Sequence, residues 1–284
     1  MLHSVKGSNM DKKQKEFNTN DYIEIAEGIY WVGFADTEAG FHCNPYLIVD
    51  NDEAVLIDSG SRTDFSIVML KVMRTGTNPK NIKRLIYQHY DPDLCGNIPH
   101  MEAMIDNPDL KLISHKKNNF FINYYSTMSP KECIEDLDFH YEFSSGRRLE
   151  FTLTPFCHSP GSFVTYDTKT KVLFSSDIFG SYDTHWELFT QIKDECSNCE
   201  TMNSCTILGR SCHMSGVIDF HRQIMPSKKA LNHSLELIEK MDISLIAPQH
   251  GSVFYTADSQ KAVIARLKSL PSVGIDYYLE EKGL

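Results

Sequence analysis

The sequence predicts an α/β protein in which two mixed β-sheets pack together and helices cover their outer faces. Apolar segments of strand length recur along the chain, and several are followed by segments with helical periodicity. Hairpins occur as well, which favours mixed sheets. A single doubly wound sheet is the alternative, but no glycine-rich phosphate loop follows the first strand.

The first third of the chain predicts two short strands, a hairpin, a helix and a buried strand. The hairpin turn falls at Asp50–Asp52, between two apolar strands. Gly76 and Pro79 end the helix, because neither residue favours a helix interior. The last strand has a continuous apolar centre, which is typical of a strand buried on both faces. In chain order these segments cover 22–34, 44–60, 65–82 and 82–89.

The remainder of the chain alternates strands with amphipathic helices. Residues 96–145 mix helix with short strand, and residues 183–215 show little periodicity. The other predicted elements are two strands within 148–180 that end at His158 and Asp177, a helix over 227–241, a strand over 243–254 that stops at His250, and a last helix over 257–268.

Composition limits the class of protein. The 284 residues are 41% hydrophobic and 23% charged, which is ordinary for a globular protein. The formal net charge is -10 without a basic stripe, so nucleic acid is not an expected partner. No apolar run approaches the roughly 18 residues that span a bilayer. The amino terminus has no apolar signal-peptide core, which indicates the cytoplasm.

The domain organisation follows from the same patterns. We expect residues 1–20 to be a disordered tail or an expression remnant, because they are polar and lack periodicity. Residues 21–284 are expected to form one domain. A cysteine-rich insert is expected at about 183–222.

Candidate metal ligands follow four of the predicted strands. The stretch LIYQHYDPDLCG carries three of them at alternate positions directly after a strand. Strand ends are rigid, and the loops beyond them converge on one edge of a sheet, so such side chains can surround metal ions. Three histidines and three aspartates suffice for two metals that share a bridging carboxylate. The six residues are His89, Asp91, Asp93, His158, Asp177 and His250.

Each of these residues alone has an ordinary explanation. A single histidine at a strand end is more often a hydrogen-bonded loop residue, and Asp91-Pro92-Asp93 alone would be a turn. Four coincident placements at strand ends are hard to reach by chance. The set as a whole therefore favours a metal site.

The same residues carry a resemblance to a known family. The motifs QHYDPDLCG, CHSPGS, SSDIFG and PQHGS, in that order, resemble the metallo-β-lactamase fold over about residues 22–270. Within that fold, the sequence is most similar to the di-iron branch of flavodiiron and oxygen-binding di-iron proteins. The resemblance implies a metallo-β-lactamase-like αββα sandwich of two mixed sheets flanked by helices, with the site at one edge. It also implies that Asp177 bridges the two metals.

Two positions depart from the family motif H-x-[EHD]-x-D-H. Leu94 replaces the last histidine, which zinc hydrolases of this fold use for their second metal. Di-iron members commonly do not use that histidine, so Leu94 argues against a glyoxalase-like or lactamase-like enzyme. Asp91 stands where di-iron members usually carry glutamate, and it still supplies a hard oxygen ligand.

The ligand set indicates iron chemistry. Hard carboxylates with imidazole suit Fe or Mn, whereas thiolate-rich sets suit Zn, and the sequence leaves Mn and Zn open as alternatives. Two adjacent Fe(II) ions bind O₂ or NO and can each deliver one electron. We therefore expect a di-iron protein that binds and reduces O₂ or NO. The alternatives are a binuclear hydrolase of a phosphodiester or thioester, and a gas sensor without turnover.

Reduction of O₂ to water needs electrons from outside the iron pair. Flavodiiron proteins carry a flavodoxin domain after the sandwich, whereas this sequence ends at Leu284 without an FMN phosphate loop, so we expect an external donor such as flavodoxin or rubredoxin. The cysteine-rich insert offers a second electron carrier, because it can hold an iron–sulfur cluster; structural zinc and free thiols are the alternatives. Its four cysteines are Cys196, Cys199, Cys205 and Cys212.

Four aromatic or imidazole side chains have predicted roles around the site. Tyr90 and His42 are candidates for a hydrogen bond to bound O₂, with packing as the alternative. Trp186 and Phe189 are interpreted as part of a lid or a dimer contact. The family resemblance implies a head-to-tail homodimer.

Other cysteines and histidines receive structural interpretations. Cys95 and Cys157, beside proposed ligands, are interpreted as buried packing residues rather than ligands. His213 and His221 are interpreted as surface residues, with a supporting position behind the metal ligands as the alternative.

Overall fold

The computed structural model describes residues 17–36, 38, 40–125, 127–182, 186–192, 196, 205 and 212–284. The chain divides into two compact units whose segments interleave along the sequence. The first unit contains the described residues up to Ala35 with 43–150 and 168–170. The second contains 36–42, 151–167 and 171–284.

The first sheet has seven strands in sequence order. Its first four strands are antiparallel neighbours, and the last four are parallel neighbours, so the sheet is mixed. The strands are β1 Ile23–Ala26, β2 Ile29–Trp31, β3 Tyr46–Asp50, β4 Glu53–Ile57, β5 Ile82–Ile86, β6 Lys111–Ser114 and β7 Lys131–Cys133.

Helices of the first unit bury one apolar face against this sheet. Val68 and Val72 of α1 and Met101 of α3 lie in one buried cluster with Leu56 and Leu85 of the strands. Removing such side chains from water is the main favourable contribution to folding. The helices are α1 Phe65–Arg74, α2 Pro92–Cys95, α3 Ile98–Ile105 and α4 Lys116–Ile122.

A second sheet also has seven strands and is also mixed. The strands are β8 His140–Glu142, β9 Arg148–Leu153, β10 Phe163–Asp167, β11 Val172–Phe174, β12 Phe189–Thr190, β13 Leu245–Ala247 and β14 Val253–Phe254. Their order in the sheet is β12-β14-β13-β11-β10-β9-β8. The central pair β11 and β13 is parallel, whereas β10 pairs with β11 antiparallel.

Three of the four helices of the second unit share one apolar core with the central strands of this sheet. Val217, Leu235 and Val263 of three of these helices cluster with Leu173 of β11 and Ile246 of β13. The helices are α5 His213–Ile224, α6 Lys228–Ile238, α7 Ala257–Lys268 and α8 Gly274–Lys282. No helix in the described ranges is long and apolar enough to cross a membrane.

The structure confirms the two-sheet α/β prediction and corrects some of its elements. The hairpin of β3 and β4, the helix α1 and the helix α7 lie where the sequence predicts them. The prediction that 257–268 is the last helix is wrong, because α8 follows it. Helix α5 was not predicted, because it begins within the cysteine-rich stretch, where polar residues hide its periodicity.

Candidate metal centre

Three of the six proposed ligands lie on one loop of the first unit. Strand β5 ends at Ile86, so His89 follows it by three residues rather than ending it. His89 is almost fully buried, and its Nε2 lies 4.0 Å from Oδ2 of Asp91, whose side chain is 33% exposed. Asp93 lies in the first turn of α2, where Pro92 begins the helix. The loop thus presents one imidazole and two carboxylates over five residues.

Hydrogen bonds from buried groups hold this loop in place. The carboxylate of Asp58, at the end of β4, accepts from the backbone N–H of Gln88 at 3.5 Å. The Cys95 thiol donates to the carbonyl of His89 at 3.7 Å. Gly96 is required where the loop ends, because a Cβ there would lie 2.5 Å from the carbonyl oxygen of Pro92. The ligands therefore stand on a backbone with little freedom.

Leu94 belongs to the apolar core of the first unit. Its side chain is fully buried in the cluster that contains α1 and α3. Its carbonyl accepts from both the backbone N–H of Ser59, at 3.1 Å, and the Ser59 hydroxyl, at 2.8 Å. The position that carries a metal-binding histidine in zinc hydrolases is thus a packing position here.

The other three proposed ligands lie together in the second unit. Strands β11 and β13 are parallel, with Phe174 opposite Ala247. Asp177 and His250 each follow these paired residues by three positions, so the register brings both to the same edge of the sheet. His158 Nε2 lies 3.1 Å from Asp177 Oδ2, and His250 Nε2 lies 3.9 Å from Asp177 Oδ1. Each oxygen of one carboxylate therefore faces a different imidazole.

A hydrogen bond at Nδ1 fixes the orientation of the His250 ring. Its Nδ1 lies 2.8 Å from the backbone carbonyl of His42, and because a carbonyl only accepts, Nδ1 must carry the hydrogen. The Nε2 lone pair is then directed toward Asp177. Gly251, at φ +79°, makes the turn possible, and its carbonyl accepts from the Trp186 indole N–H at 2.9 Å. A second hydrogen bond of this kind is what usually orients a metal-binding histidine.

This arrangement fits a pair of metal ions. A carboxylate that offers one oxygen to each side, with an imidazole nitrogen next to each oxygen, matches a bridge between two metals. Hard oxygen donors with imidazole suit iron or manganese.

The side chains that the sequence predicts to line the site each contact another ring. The ring of Tyr90 stacks on Phe121 with 4.3 Å between centroids. Burial is the main cause that raises the pKa of the Tyr90 phenol, and the Asp91 charge raises it further.

The His42 ring is fully buried and lies 4.8 Å from the Trp186 ring. Phe189 meets Tyr255 edge-on at 5.9 Å. His42 thus contributes to the site through its backbone carbonyl.

The two cysteines interpreted as packing residues are fully buried. Burial raises the pKa of both Cys95 and Cys157, the latter to about 12. Neutral thiols in apolar surroundings are typical of packing residues.

Two residues beside the proposed ligands, Cys43 and Asp58, received no role from the sequence, and a third, His221, was preferred as a surface residue. The interpretation of His221 as a surface residue is wrong, since its side chain is fully buried. Cys43, also buried, has its Sγ within 4.8 Å of a carboxylate oxygen of Asp93. Asp58 holds the ligand loop, as described above. A short Asp-Ser-Gly stretch after an apolar strand, at 58–60, is the one sequence signal that pointed to Asp58.

The cysteine-rich insert lies partly outside the described residues, which exclude Cys199. Cys205 is buried, and Cys196 and Cys212 are partly buried. Burial is the main cause that raises the pKa of the Cys212 thiol, and the Cys205 and Cys196 thiols raise it further. Cys212 directly precedes α5. Within the described part of the chain, the groups of three ligand atoms that lie close enough together to hold one metal ion include none of these three thiols.

A comparison with protein families gives one match that covers most of the chain. The model described as "ODP family beta lactamase" matches residues 41–251, a range that contains all six proposed ligands.

Solved structures share the fold. The chain covers 99% of a chemotaxis sensor, ODP, solved as a peroxy di-iron species, with a TM-score of 0.71 over 92% of the present chain and 23% identity. The flavodiiron protein of Giardia intestinalis aligns with a TM-score of 0.70 over 93% of the chain and 60% of its own, at 20% identity. The metallo-β-lactamase-like fold and the resemblance to the di-iron branch are thereby confirmed.

The sequence relatives of the chain include a type A flavoprotein and a flavorubredoxin. The chain is 25% identical over 244 residues to the anaerobic nitric oxide reductase flavorubredoxin of Salmonella arizonae, covering 82% of this chain and 48% of that protein. The chain spans about half the length of the curated relatives it matches.

Proposed function

Because the chain belongs to the ODP family of β-lactamase-fold proteins, we propose that it is a di-iron protein that binds O₂ or NO. The observation that carries the proposal is Asp177, whose two carboxylate oxygens lie next to the Nε2 atoms of His158 and His250. Structural neighbours named as a chemotaxis sensor and as flavodiiron proteins support it.

The proposed ligand assignment follows the family pattern. His89, Asp91 and His158 would hold one iron, Asp93 and His250 would hold the other, and Asp177 would be shared between them. Iron supplies the chemistry of gas binding, since each Fe(II) can give one electron to a diatomic ligand. The chain's own residues orient the imidazoles and carboxylates, as the contact from His250 Nδ1 to the His42 carbonyl illustrates.

We extend the proposal to reduction of the bound gas. Conversion of O₂ to two waters takes four electrons and four protons. An iron pair would hold two of these electrons at a time and would have to be reduced again, so sustained turnover needs all four electrons from a donor. The flavorubredoxin relative supports an external flavin or rubredoxin donor. A sensor that binds gas without turnover is the alternative role, which the name of the ODP neighbour supports.

The hydrolase alternative is disfavoured by Leu94. Dizinc hydrolases of this fold place a histidine there, and here the position is a buried leucine in the core. A panel of phosphodiesters and thioesters, assayed with and without oxidation of the metals, tests this alternative. Turnover of an ester without any redox change would favour hydrolysis.

Elemental analysis of anaerobically purified protein tests the metal content. We expect two irons per chain from the binuclear centre, and two irons without acid-labile sulfide would indicate that centre alone. About six irons with four sulfides would add a cluster at the four cysteines of the insert, which stays a prediction. Protein that binds no iron after anaerobic reconstitution with Fe(II) would contradict the proposal.

Rapid mixing of the reduced protein with O₂ or NO tests the reaction. We expect a new visible band on mixing, and sustained gas consumption once a reduced flavodoxin or rubredoxin is added. A long-lived band without turnover with any donor would assign the protein to the sensor class. Absence of any spectral change with either gas would overturn gas binding.

A further inference from the structure

His221 contacts the loop of Asp177 from the interior of the second unit. It lies on α5, and its side chain is fully buried. Its Nδ1 lies 2.7 Å from the carbonyl of Val217, one turn earlier in the same helix, and its Nε2 lies 3.1 Å from the backbone nitrogen of Phe179. Phe179 follows Asp177 by two residues.

These two contacts allow one tautomer of His221. The Val217 carbonyl can only accept, so Nδ1 carries the hydrogen; the Phe179 amide can only donate, so Nε2 offers its lone pair. Burial, the largest cause, lowers the pKa of His221 to about 4, so the ring is neutral at ordinary pH. The two contacts thus assign Nε2 of His221 as the acceptor for the Phe179 N–H.

The loop that His221 contacts has an unusual backbone. Ser176 and Phe179, on either side of Asp177, have φ values of +56° and +74°, a region that non-glycine residues seldom adopt. Such a conformation persists only where surrounding contacts hold it. Gly180 is packed so closely that a Cβ would lie 2.8 Å from the ring of Phe220, the neighbour of His221 on α5.

The loop is also hydrogen-bonded to the segment that carries His250. The backbone N–H of Gln249, next to His250, donates to the Ser176 carbonyl at 2.7 Å. A shift of the loop would therefore be transmitted to the His250 segment and would change the position of Asp177 relative to His158.

We propose that His221 is a positioning residue, which holds the Asp177 loop by accepting the Phe179 amide and thereby keeps the carboxylate between His158 and His250. The role in metal binding rests on the proposed function, since it takes Asp177 as a metal ligand. The role in loop geometry does not, because it is a property of the protein without metal.

Two substitutions separate positioning from packing. His221→Phe keeps a ring of similar size but removes the acceptor, so the Phe179 N–H is left buried without its partner. His221→Gln places a side-chain amide oxygen near the former Nε2 and should restore part of the contact. Leu235→Ala, in the same apolar cluster on α6, is the matched control for loss of packing alone.

Hydrogen exchange of the metal-free protein provides the first measurement. We expect the Phe179 amide to be protected in the wild type and in Leu235→Ala, and to exchange at least tenfold faster in His221→Phe. If the wild-type Phe179 amide exchanges as fast as an unstructured amide, the proposed contact does not exist. This reading of the wild type stands even if His221→Phe does not fold.

Anaerobic Fe(II) titration provides the second measurement. Loss of an outer partner of a metal site typically costs 10–100-fold in affinity, so we expect His221→Phe to bind iron about 10–100-fold more weakly, and His221→Gln to fall between it and the wild type. Equal affinity in His221→Phe and the wild type would overturn the positioning role. So would an equal loss in Leu235→Ala.

The two measurements distinguish the failure of each proposal. A wild type that binds no iron contradicts the proposed function, while the exchange data still decide whether His221 holds the loop. A wild type that binds two irons, with His221→Phe unchanged in both measurements, contradicts the positioning role alone.

Discussion

At the scale of single residues, the chemistry depends on which atoms each ligand presents. Asp177 directs one oxygen toward His158 and the other toward His250. His250 presents Nε2 because its Nδ1 is occupied by the His42 carbonyl. The sequence alone does not tell which atom of a histidine or an aspartate faces the site, because hydrogen-bond partners in the folded protein orient the side chain.

Removal of one terminal carboxylate should remove one metal. We expect Asp93→Ala to hold one iron per chain instead of two, because the proposed assignment gives that iron few other ligands. Elemental analysis with protein quantification checks this. Asp52→Ala, in the exposed turn between β3 and β4, is the control and should retain two irons. Two irons in Asp93→Ala would show that Asp93 is not a ligand.

The side chain at position 94 should matter for stability rather than for metal. We expect Leu94→His to lower the free energy of unfolding by about 2 kcal/mol, because it buries an imidazole without a partner among apolar side chains. Leu94→Met, which conserves volume, should cost less than about 1.5 kcal/mol. Denaturant unfolding of the metal-free proteins measures both. A Leu94→His variant as stable as the wild type would place that side chain outside the core.

At the scale of elements, the parallel strands place the ligands with a constant offset. His89, Asp177 and His250 each come three residues after the last residue of a strand, namely β5, β11 and β13. His158 follows β9 by five residues and lies within a turn in which the Phe156 N–H donates to the Ser159 carbonyl. The short extension beyond each strand lets the side chain turn away from the sheet while the backbone remains anchored.

Helix α1 carries a buried lysine that should make stability depend on pH. The Lys71 ammonium donates to the carbonyls of Thr19, at 2.7 Å, and Gly33, and lies 4.0 Å from the centre of the Trp31 ring. Burial, the largest cause, lowers the pKa of Lys71 from 10.5 to about 8. Between these values the unfolded chain holds the Lys71 proton more tightly than the folded chain, so the contribution of Lys71 to the free energy of unfolding should rise as pH increases from about 8 to 10.5.

A pair of variants isolates this contribution. The free energy of unfolding of Lys71→Met, relative to the wild type, should fall as pH increases above 8, whereas Lys261→Met, at an exposed position of α7, should follow the wild type. Urea unfolding at a series of pH values from 7 to 10.5 measures the difference between the two. The same pH profile in both variants would mean that the ammonium is not buried in solution.

At the scale of the whole molecule, metal binding should stabilise the fold. A ligand that binds only the folded state adds RT ln(1 + [L]/Kd), which is about 2.7 kcal/mol at a hundredfold excess over Kd. We expect Fe(II), added anaerobically, to raise Tm in proportion to the logarithm of its concentration, and a chelator to reverse the increase. Asp93→Ala should show a smaller rise. A Tm that does not respond to Fe(II) would argue against a built metal site.

Several features of this protein follow from the sequence by itself. The period-two apolar pattern and turn residues of 44–60 were enough to predict the β3–β4 hairpin, and helical periodicity with Gly76 was enough to predict α1. These are local features, since each depends on residues within one or two turns of chain. The identity of the candidate ligands is likewise local, because it needs only the residue type and a neighbouring strand.

The tertiary structure alone decided what surrounds those residues. His250 meets the carbonyl of His42, which lies 208 positions away in the sequence, and His221 meets Phe179 across 42 positions. Leu94 belongs to the core because α1 and α3 cover it, although it lies between candidate ligands in sequence. Local periodicity carries no information about such pairs, since burial and hydrogen-bond partners arise when distant segments pack. For that reason a histidine expected at the surface proved to be among the most buried residues of the second unit.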